Sequence, residues 1–317
     1  MTLKWSDLPR PIACLAPMDG ITDSAYRRLV REFNREVVLF SEFTSAEGYL
    51  RSEKVRARLN YREQEHPYFV QLFGNRPEAF AEAARVLEQA GVAGIDINMG
   101  CPAKKIVASA HGSGLMRDVD QACRIVEAVA AACGLEVSVK TRLGWSNPEG
   151  LIPFARALES AGASLITIHG RTYDQGFRGE ADWAPIHELK NHLSVPLLGN
   201  GDVANLADGQ TRLGQLDGFM IGRAAIGNPW VFLPGEDTTP DLPERLRVIR
   251  RHYDLMCEEK TPRRAHLEFR KHLVGYLKGV SHIKPLRAKM MVAPDRASLM
   301  ALLDEVPHAA GELARAS

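Results

Sequence analysis

The amino-acid sequence predicts an α/β protein, a (β/α)8 TIM barrel followed by a small all-helical C-terminal domain. Eight short apolar runs rich in β-branched residues recur between residues 12 and 223, and amphipathic segments separate them. In these segments apolar residues repeat at i, i+3 and i+4 spacing, which is typical of helices that pack one face on a sheet. Eight β-then-α units over roughly 230 residues favour a closed barrel over an open doubly wound sheet, which normally has fewer strands.

Each predicted strand is short and ends at turn-forming or polar residues. The predicted strands are 12–17, 36–43, 67–73, 93–99, 136–141, 164–170, 195–201 and 217–223. Between them, segments 77–91 and 148–162 show helical spacing and end at a glycine, as helices with a C-terminal glycine cap do. No G-x-G-x-x-G motif follows any of these strands, which argues against a dinucleotide-binding open sheet.

The sequence pattern changes after residue 232. Segment 233–243 contains three prolines together with acidic and hydroxyl residues, a composition typical of a linker. Residues 244–317 show helical patterns and no strand pattern. We therefore predict two domains, a barrel over 1–235 and a helical domain over 244–317.

The composition is that of a folded globular protein, with 45 % hydrophobic and 25 % charged residues. The N-terminal stretch lacks the basic region and apolar run of a secretory signal, and no run reaches the ~18 apolar residues of a membrane span. We expect a cytoplasmic protein without a membrane segment. The five cysteines are widely spaced and form no C-x-x-C pair, which argues against a disulfide framework, an iron–sulfur cluster or a metal site.

Charge is distributed unevenly along the chain, although the net charge is only +1. Residues 245–296 contain 14 Lys and Arg against 5 Asp and Glu, a net charge of +9, and the remainder of the chain carries −8. A basic C-terminal module on an acidic body indicates a polyanionic partner. A solvated helical surface explains the same count equally well. The sequence indicates no protein partner.

Polar residues cluster where the predicted strands end, which is where the active sites of such barrels lie. Seven of the eight strands have such residues at their ends. They are Asp19 after the first strand, Gln71 in the third, Asn98 and Cys101 at the fourth, Lys140 and Arg142 at the fifth, His169 and Arg171 at the sixth, Asn200 and Asp202 at the seventh, and Arg223 at the eighth. A single polar strand end usually means nothing, but seven of eight indicate a site.

Two adjacent strand ends, Asn200-Gly201-Asp202 and Gly222-Arg223, predict a phosphate site. Glycines after the seventh and eighth strands let backbone N–H groups approach a phosphate, and an arginine adds a charge-assisted contact. Each motif taken alone is more often a tight turn. Their joint position favours a phosphorylated cofactor or substrate.

Three further side chains suit a planar ring at the mouth of the barrel. Lys140 could neutralise an anion that forms on a bound ring. Gln71 offers both a donor and an acceptor, which the edge of a flavin or a pyrimidine requires. His169 could donate to a phosphate or to a ring carbonyl. The alternatives are a satisfied core amide for Gln71 and a structural histidine for His169.

Seven segments stand in order between residues 12 and 232, namely LAPMDGITD, QLFG, DINMGCPAKK, SVKTRLGW, TIHGRT, LGNGDV and GFMIGRAAIGNPWVF. Together they resemble the tRNA-dihydrouridine synthases, FMN-dependent enzymes that use NADPH to saturate the C5–C6 bond of uridine in tRNA. The segment FRKHLVGYLKG gives a looser match in the helical part. The resemblance implies bound FMN, NADPH as the reductant and tRNA as the partner.

The resemblance also implies a role for each matching residue. Cys101 is expected to be the catalytic acid that protonates C5 of the uracil while hydride reaches C6. The residues expected to hold FMN are Pro17, Met18, Asp19, Gln71, Lys140, His169, Asn200, Gly201, Asp202, Gly222 and Arg223. The residues expected to contact the substrate are Asn98, Lys104, Lys105, Arg142 and Arg171 in the barrel and Arg270, Lys271 and His272 in the helical domain.

An acid in this role has to be protonated near neutral pH. A thiol with an unperturbed pKa of about 8.5 meets that need, so we expect Cys101 to be a thiol rather than an acidified thiolate. The sequence departs from the family pattern in the loop 106–116, which carries His111 in place of the usual asparagine- and glycine-rich loop.

Two other functions are compatible with the sequence. FMN barrels that act on free dihydroorotate or free pyrimidines also use a cysteine or serine as acid or base, but they leave the basic domain unexplained. A non-catalytic RNA-binding relic of such a barrel explains the basic domain, but leaves the intact acid, lysine and phosphate motif unexplained.

Overall fold

A computed structural model of the protein describes residues 3–311, and its parallel strands close into one barrel. The strands are β1 (Ile12–Leu15), β2 (Val38–Phe40), β3 (Thr44–Ser45), β4 (Tyr68–Phe73), β5 (Gly94–Asn98), β6 (Glu136–Arg142), β7 (Leu165–His169), β8 (Leu197–Asn200) and β9 (Gly218–Ile221). β1 pairs with both β2 and β9, and β2 pairs with β4, so the ladder is continuous around the ring. The predicted barrel is confirmed.

The second strand position of the barrel is occupied by two short strands, β2 and β3, whereas the sequence predicted one strand over 36–43. β2 pairs with the start of β4, and β3 pairs with its end. Four residue steps separate Phe40 from Thr44, whereas three separate their partners Phe69 and Leu72, so this strand position contains one extra residue. An extra residue of this kind interrupts the ladder and bends the strand, which is why the single predicted strand is divided.

Helices surround the barrel and continue after it. The barrel helices are α1 (Ser24–Phe33), α2 (Ala46–Arg51), α3 (Glu53–Arg56), α4 (Pro77–Gln89), α5 (Lys104–Ala108), α6 (Val119–Ala132), α7 (Leu151–Ser160), α8 (Ala184–Lys190) and α9 (Leu206–Thr211). The C-terminal helices are α10 (Leu242–Glu259), α11 (Pro262–Tyr276), α12 (Lys284–Val292), α13 (Arg296–Asp304) and α14 (Val306–Gly311). Within residues 3–311, no helix is long and apolar enough to cross a membrane. The last six residues of the predicted helical domain lie outside the described residues.

Local capping signals explain where several of these helices begin and end. Asp23, Asp118 and Asp241 precede α1, α6 and α10, and each carboxylate accepts a backbone N–H from the first turn of its helix. α4 and α7 are each followed by a glycine in the left-handed region, Gly91 with φ +79° and Gly162 with φ +109°. The two glycine-terminated helices that the sequence predicts are therefore present.

Apolar side chains fill the N-terminal end of the barrel. Trp5 comes from the segment before β1, is 2 % exposed, and stacks on Phe69 with 4.3 Å between the ring centroids. Phe69 in turn stacks on Phe40 at 5.5 Å. A second, larger apolar layer lies between the strands and the helices and extends into the C-terminal helices. The opposite, C-terminal end of the barrel is left for a site.

Polar and aromatic contacts attach the C-terminal helices to the barrel. Lys260, after α10, forms ion pairs with Asp23 at the start of α1 and with Glu268 in α11. The hydroxyl of Tyr26 in α1 donates to a backbone carbonyl after β9. The ring of Tyr26 also packs on His272 of α11, with 4.6 Å between the centroids. The attachment therefore involves α1, the end of the barrel and two C-terminal helices.

Two glycines allow direct backbone contact at this junction. A Cβ on Gly227 would overlap the backbone of His272, and a Cβ on Gly275 would overlap the carbonyl of Ile226. Gly227 also has φ +62°, a conformation that glycine adopts readily. The sequence requires glycine at these two positions because the two backbones touch there.

We predict that Gly275→Ala destabilises the protein by roughly 1–3 kcal/mol, because the added methyl group separates α11 from the barrel. Urea unfolding followed by circular dichroism measures the change. Gly150→Ala is the matched control, since no atom lies within 4 Å of the added Cβ and the φ of Gly150 is −85°. Equal stability of the two variants would show that the junction adjusts without cost.

Candidate active site

A cavity of about 750 Å³ opens at the C-terminal end of the barrel. The end that Trp5 fills lies opposite. The predicted site residues that line the cavity are Pro17, Met18, Asp19, Asn98, Cys101, Lys140, Arg142, His169, Asn200, Gly201, Asp202, Gly222 and Arg223. Polar residues that are far apart in sequence thus meet in one place, because the C-terminal ends of the parallel strands share one face of the barrel.

The side chain of Asn98 holds the turn that carries Cys101. Asn98 Oδ1 accepts the backbone N–H groups of Gly100 at 3.2 Å and Cys101 at 2.9 Å. Asn98 Nδ2 donates to Gln71 Oε1 at 2.8 Å. These bonds fix the backbone after β5 and leave the thiol of Cys101 half-buried on the cavity wall.

Cys101 is protonated at neutral pH. Burial raises the pKa of its thiol above the ordinary value, and the backbone N–H of Ala103 and the charge of Arg142 oppose that shift only in part. The neighbouring Lys104 and Lys105 are exposed at the start of α5. The expectation of a thiol rather than a thiolate agrees with this environment.

Lys140 brings a positive charge to the cavity wall. Its Nζ donates to Asn200 Oδ1 at 2.9 Å, and Asn200 Nδ2 donates to the carbonyl of Met220 at 2.8 Å, which fixes the amide orientation. Burial and the nearby Arg142 lower the pKa of Lys140 to about 8. An ammonium has three N–H donors, and Asn200 accepts one of them, so Lys140 can bind a further acceptor in the cavity.

His169 is neutral. Burial, together with the positive charges of Lys140, Arg142 and Arg171, holds its pKa far below the ordinary value. Its Nε2 lies 3.2 Å from Arg171 Nη1. Because arginine only donates, Nε2 accepts and the ring proton is on Nδ1. His169 can therefore offer one N–H donor without carrying charge.

Asp202 holds two arginines at the predicted phosphate site. Its carboxylate accepts from Arg171 at 2.5 Å, from Arg223 at 2.6 Å and from the backbone N–H of Ala181 at 2.8 Å. These donors lower the pKa of Asp202. Its φ is +55°, in the left-handed region, and it follows Gly201 with φ +120°. The carboxylate of Asp202 therefore positions the two arginines. A ligand at this turn would bind to its backbone N–H groups instead.

Gln71 is one of the residues that the sequence predicts to contact a bound ring. It is fully buried and does not line the cavity. Besides its bond to Asn98, Gln71 Nε2 donates to Asp96 Oδ2 at 2.6 Å. Burial raises the pKa of Asp96 to about 6. Gln71 thus supports the Cys101 turn from behind, through Asn98.

The sequence predicts that Arg171 and His272 contact a large substrate, and each side chain is only 1 % exposed. Arg171 donates to the carbonyl of Gly179 within the barrel at 2.7 Å. His272 packs against Tyr26 and His252, and burial lowers its pKa to about 4. Both side chains therefore lie inside the protein.

The remaining predicted contacts lie at or near the surface. Lys104, Lys105 and Lys271 are exposed. Arg270 is partly buried, and its guanidinium donates to the carbonyl of Ala293 at 2.6 Å, which makes it a link between α11 and the end of α12. Lys271 reaches Gly20, beside the cavity lining at Asp19.

The atypical loop 106–116 packs behind Cys101. The backbone N–H of Ser113 donates to the carbonyl of Cys101 at 3.2 Å. Gly112 is required at its position, since a Cβ would lie 3.0 Å from that carbonyl oxygen and its φ is +55°. His111 is half-buried beside Phe73, with 5.8 Å between the ring centroids, and does not line the cavity.

Phe177 and Lys278 are among the lining residues that were not anticipated from the sequence. Phe177 comes from the loop after β7, and Lys278 comes from the turn after α11. The signal for Phe177 is an aromatic residue that directly follows Gly176 in a mostly polar loop. Lys278 has no local signal, because only the packing of α11 on the barrel brings it to the cavity.

The fold and the cavity define a barrel enzyme with its active site at the C-terminal ends of the strands. Within residues 3–311, no group of three or more His, Cys, Asp or Glu side chains is close enough to hold a metal ion. Residues 14–311 match the family model for dihydrouridine synthase (Dus).

Sequence and structure comparisons extend this match. A probable tRNA-dihydrouridine synthase of Rhodobacter capsulatus is 37 % identical over 305 residues, covering 92 % of this chain and 94 % of the relative. A probable tRNA-dihydrouridine synthase of Rickettsia conorii is 35 % identical over 293 residues, covering 89 % and 88 %. Among solved structures, morphinone reductase superposes with a TM-score of 0.51 at 15 % identity, covering 78 % of this chain and 88 % of the reductase, which supports the fold alone.

The chain belongs to the dihydrouridine synthase family, whose members are flavin-dependent oxidoreductases.

We predict that Cys101 is alkylated slowly by iodoacetamide at neutral pH, because its raised pKa leaves little of the reactive thiolate. The rate should still be increasing at pH 9. Peptide mass spectrometry at successive times measures it, with Cys101→Ser to identify the labelled peptide. A rate that is already constant from neutral pH upwards would establish a thiolate and contradict the assignment.

Proposed function

We propose that this protein is a tRNA-dihydrouridine synthase that reduces the C5–C6 bond of specific uridines in tRNA, with FMN as cofactor and NADPH as reductant. The observation that carries the proposal is the position of the Cys101 thiol in the same cavity as a lysine and a glycine-rich, arginine-bearing turn, and burial raises the pKa of that thiol. The substrate implies action in the cytoplasm.

The donors of the cavity and its two glycines suit FMN. Lys140 has N–H donors beyond the one that Asn200 accepts, which suits the electron-rich edge of a flavin. Gly201 and Gly222 have no side chains, so a phosphate can approach the backbone beside Arg223. The residues that would hold FMN are Pro17, Met18, Lys140, His169, Asn200, Gly201, Gly222 and Arg223, with the backbones of Asp19 and Asp202. FMN bound here and reduced by NADPH would supply the hydride that C6 of the uracil receives.

In this proposal Cys101 is the general acid. Its thiol is protonated and faces the cavity, and it gives its proton to C5 of the uracil. Asn98 orients the base. Its Oδ1 is occupied by two backbone N–H groups, but one N–H of its Nδ2 is free to donate to a uracil carbonyl.

The C-terminal helices are the proposed tRNA-binding domain, over 244–317. A uridine reaches a cavity inside a barrel only when its base leaves the stack, so the RNA has to be held elsewhere at the same time. The net charge of +9 over 245–296 suits phosphates, and Lys278 extends that charge to the cavity itself. Lys104, Lys105 and Lys271 are exposed near the opening and can add phosphate contacts.

Neither alternative function accounts for these features together. A dehydrogenase of free dihydroorotate or free pyrimidine has no use for basic helices that contribute a lysine to the cavity. A non-catalytic relic would leave unexplained why three hydrogen bonds of Asn98 position a protonated thiol.

Cys101→Ala tests the proposal. We expect the variant to bind FMN and to be reduced by NADPH at the wild-type rate, whereas dihydrouridine formation in unmodified tRNA falls by about 10²-fold or more. Anaerobic stopped-flow absorbance measures the first reaction and nucleoside mass spectrometry the second. Cys123→Ala, a half-buried thiol on α6 outside the cavity, is the control. Full tRNA activity in Cys101→Ala would remove the thiol from the mechanism.

The affinity for FMN should depend on pH through Lys140. The pKa of this ammonium is about 8 in the ligand-free protein, below the ordinary lysine value, so it loses its charge as pH rises through that range. An electron-rich ligand binds the charged form more tightly, and its dissociation constant should rise by up to about tenfold per pH unit above pH 8. Flavin fluorescence titration measures this. Lys140→Met should remove the dependence, and Lys54→Met, an exposed lysine on α3, should keep it.

A further inference from the structure

We propose that a depression beside the catalytic cavity binds the nucleotide adjacent to the target uridine, with its base stacked on Tyr173 and Phe177. The inference rests on the proposed function, since it concerns the same RNA substrate. It adds a second base-binding subsite to the site described above.

The depression and the cavity share a wall. The depression has a volume of about 520 Å³ and is lined by Cys101, Pro102, Ala103, Lys104, Tyr173, Asp174, Gly176 and Phe177. Cys101, Pro102 and Phe177 also line the catalytic cavity. A ligand that fills the cavity up to Cys101 therefore continues into the depression. If the ligand is an RNA strand with one base in the cavity, the part that enters the depression is the adjacent nucleotide.

The ring of Tyr173 is held in place before any base arrives. It stacks on Trp145 with 4.0 Å between the ring centroids and 26° between the planes. The guanidinium of Arg117 lies 4.8 Å from the Trp145 ring. The backbone N–H of Tyr173 donates to the carbonyl of Gly144 at 3.0 Å, which joins the loops after β6 and β7. A fixed aromatic ring loses little conformational entropy when a base stacks on it.

Phe177 supplies the second aromatic surface. Of the Phe, Tyr and Trp side chains within residues 3–311, Phe177 alone is exposed, with 58 % of its surface accessible. The guanidinium groups of Arg142 and Arg223 lie 5.5 Å and 5.7 Å from its ring centroid, on the cavity side. Aromatic rings at the edge of a basic site are the usual surface on which proteins stack unpaired RNA bases.

The charges around the depression suit a nucleotide. Lys104 lines it, and Lys105 follows on the exposed start of α5, so phosphates of the strand are favoured on that side. Asp174 also lines the depression, and its carboxylate accepts from Ser146 Oγ at 2.7 Å. A carboxylate repels phosphate but accepts hydrogen bonds from base N–H groups. We therefore place the phosphate of the nucleotide near α5 and its base edge near Asp174.

The test uses Tyr173→Leu, which keeps apolar bulk but removes the stacking plane, with Tyr173→Phe as the variant that keeps it. We expect the KM for tRNA to rise about tenfold in Tyr173→Leu and to remain near the wild-type value in Tyr173→Phe. The KM for NADPH and the rate of flavin reduction should be unchanged in both variants. Flavin content and thermal unfolding confirm that each variant is folded.

A modified substrate makes the test specific for the neighbouring base. Transcripts with an abasic site on the 5′ or the 3′ side of the reduced uridine are compared in wild type and Tyr173→Leu. One of the two should bind wild type about tenfold more weakly than intact RNA, and Tyr173→Leu should not distinguish it from intact RNA.

The outcomes separate this inference from the proposed function. If wild type forms no dihydrouridine in tRNA, the proposed function fails. If wild type is active and neither abasic transcript nor Tyr173→Leu changes binding, the function stands and the subsite is refuted. A raised KM for NADPH in Tyr173→Leu, with tRNA unaffected, would assign the depression to the dinucleotide and would overturn the inference.

Discussion

Every strand of the barrel runs in the same direction, and the ring closes because β9 can lie directly against β1. Gly218 makes that contact possible, since a Cβ at this position would overlap the backbone of Ile12. Closure brings the C-terminal ends of all the strands to one opening. Groups from Asp19 to Arg223 form a single cavity for this reason, although no short stretch of sequence contains them all.

The cavity contains more positive than negative charge, and neutral or anionic partners hold Lys140, Arg142 and Arg223 in position. Lys140 is held by the amide of Asn200, Arg142 donates to backbone carbonyls, and Asp202 holds Arg171 and Arg223 together. The same cations keep His169 neutral. An electron-rich ring and a phosphate both gain from such a cavity, because its donors are oriented before the ligand binds.

The fold and the positions of most lining residues follow from local sequence patterns, because strand ends and glycine turns are local features. Whether a side chain faces the ligand or supports its neighbours depends on partners from elsewhere in the chain. Arg171 is internal because Asp202 faces it, and Gln71 is internal because Asn98 lies between it and the cavity. The second strand position is divided into β2 and β3 because it contains one extra residue relative to β4. Such a difference depends on how the strands pair, which the sequence of one strand does not show.

At Gly227 and Gly275 the backbone of the barrel and the backbone of α11 touch directly. Side chains at an interface can change rotamer and allow sliding, whereas two backbones in contact cannot. The separation between Lys278 on the helical side and Cys101 on the barrel side is therefore fixed by the fold. A large ligand bound along the C-terminal helices would bring to the thiol only the part of itself that lies at this fixed distance from the helices. The distance along the ligand, rather than the chemistry around the reacting atoms, would then select the position that reacts.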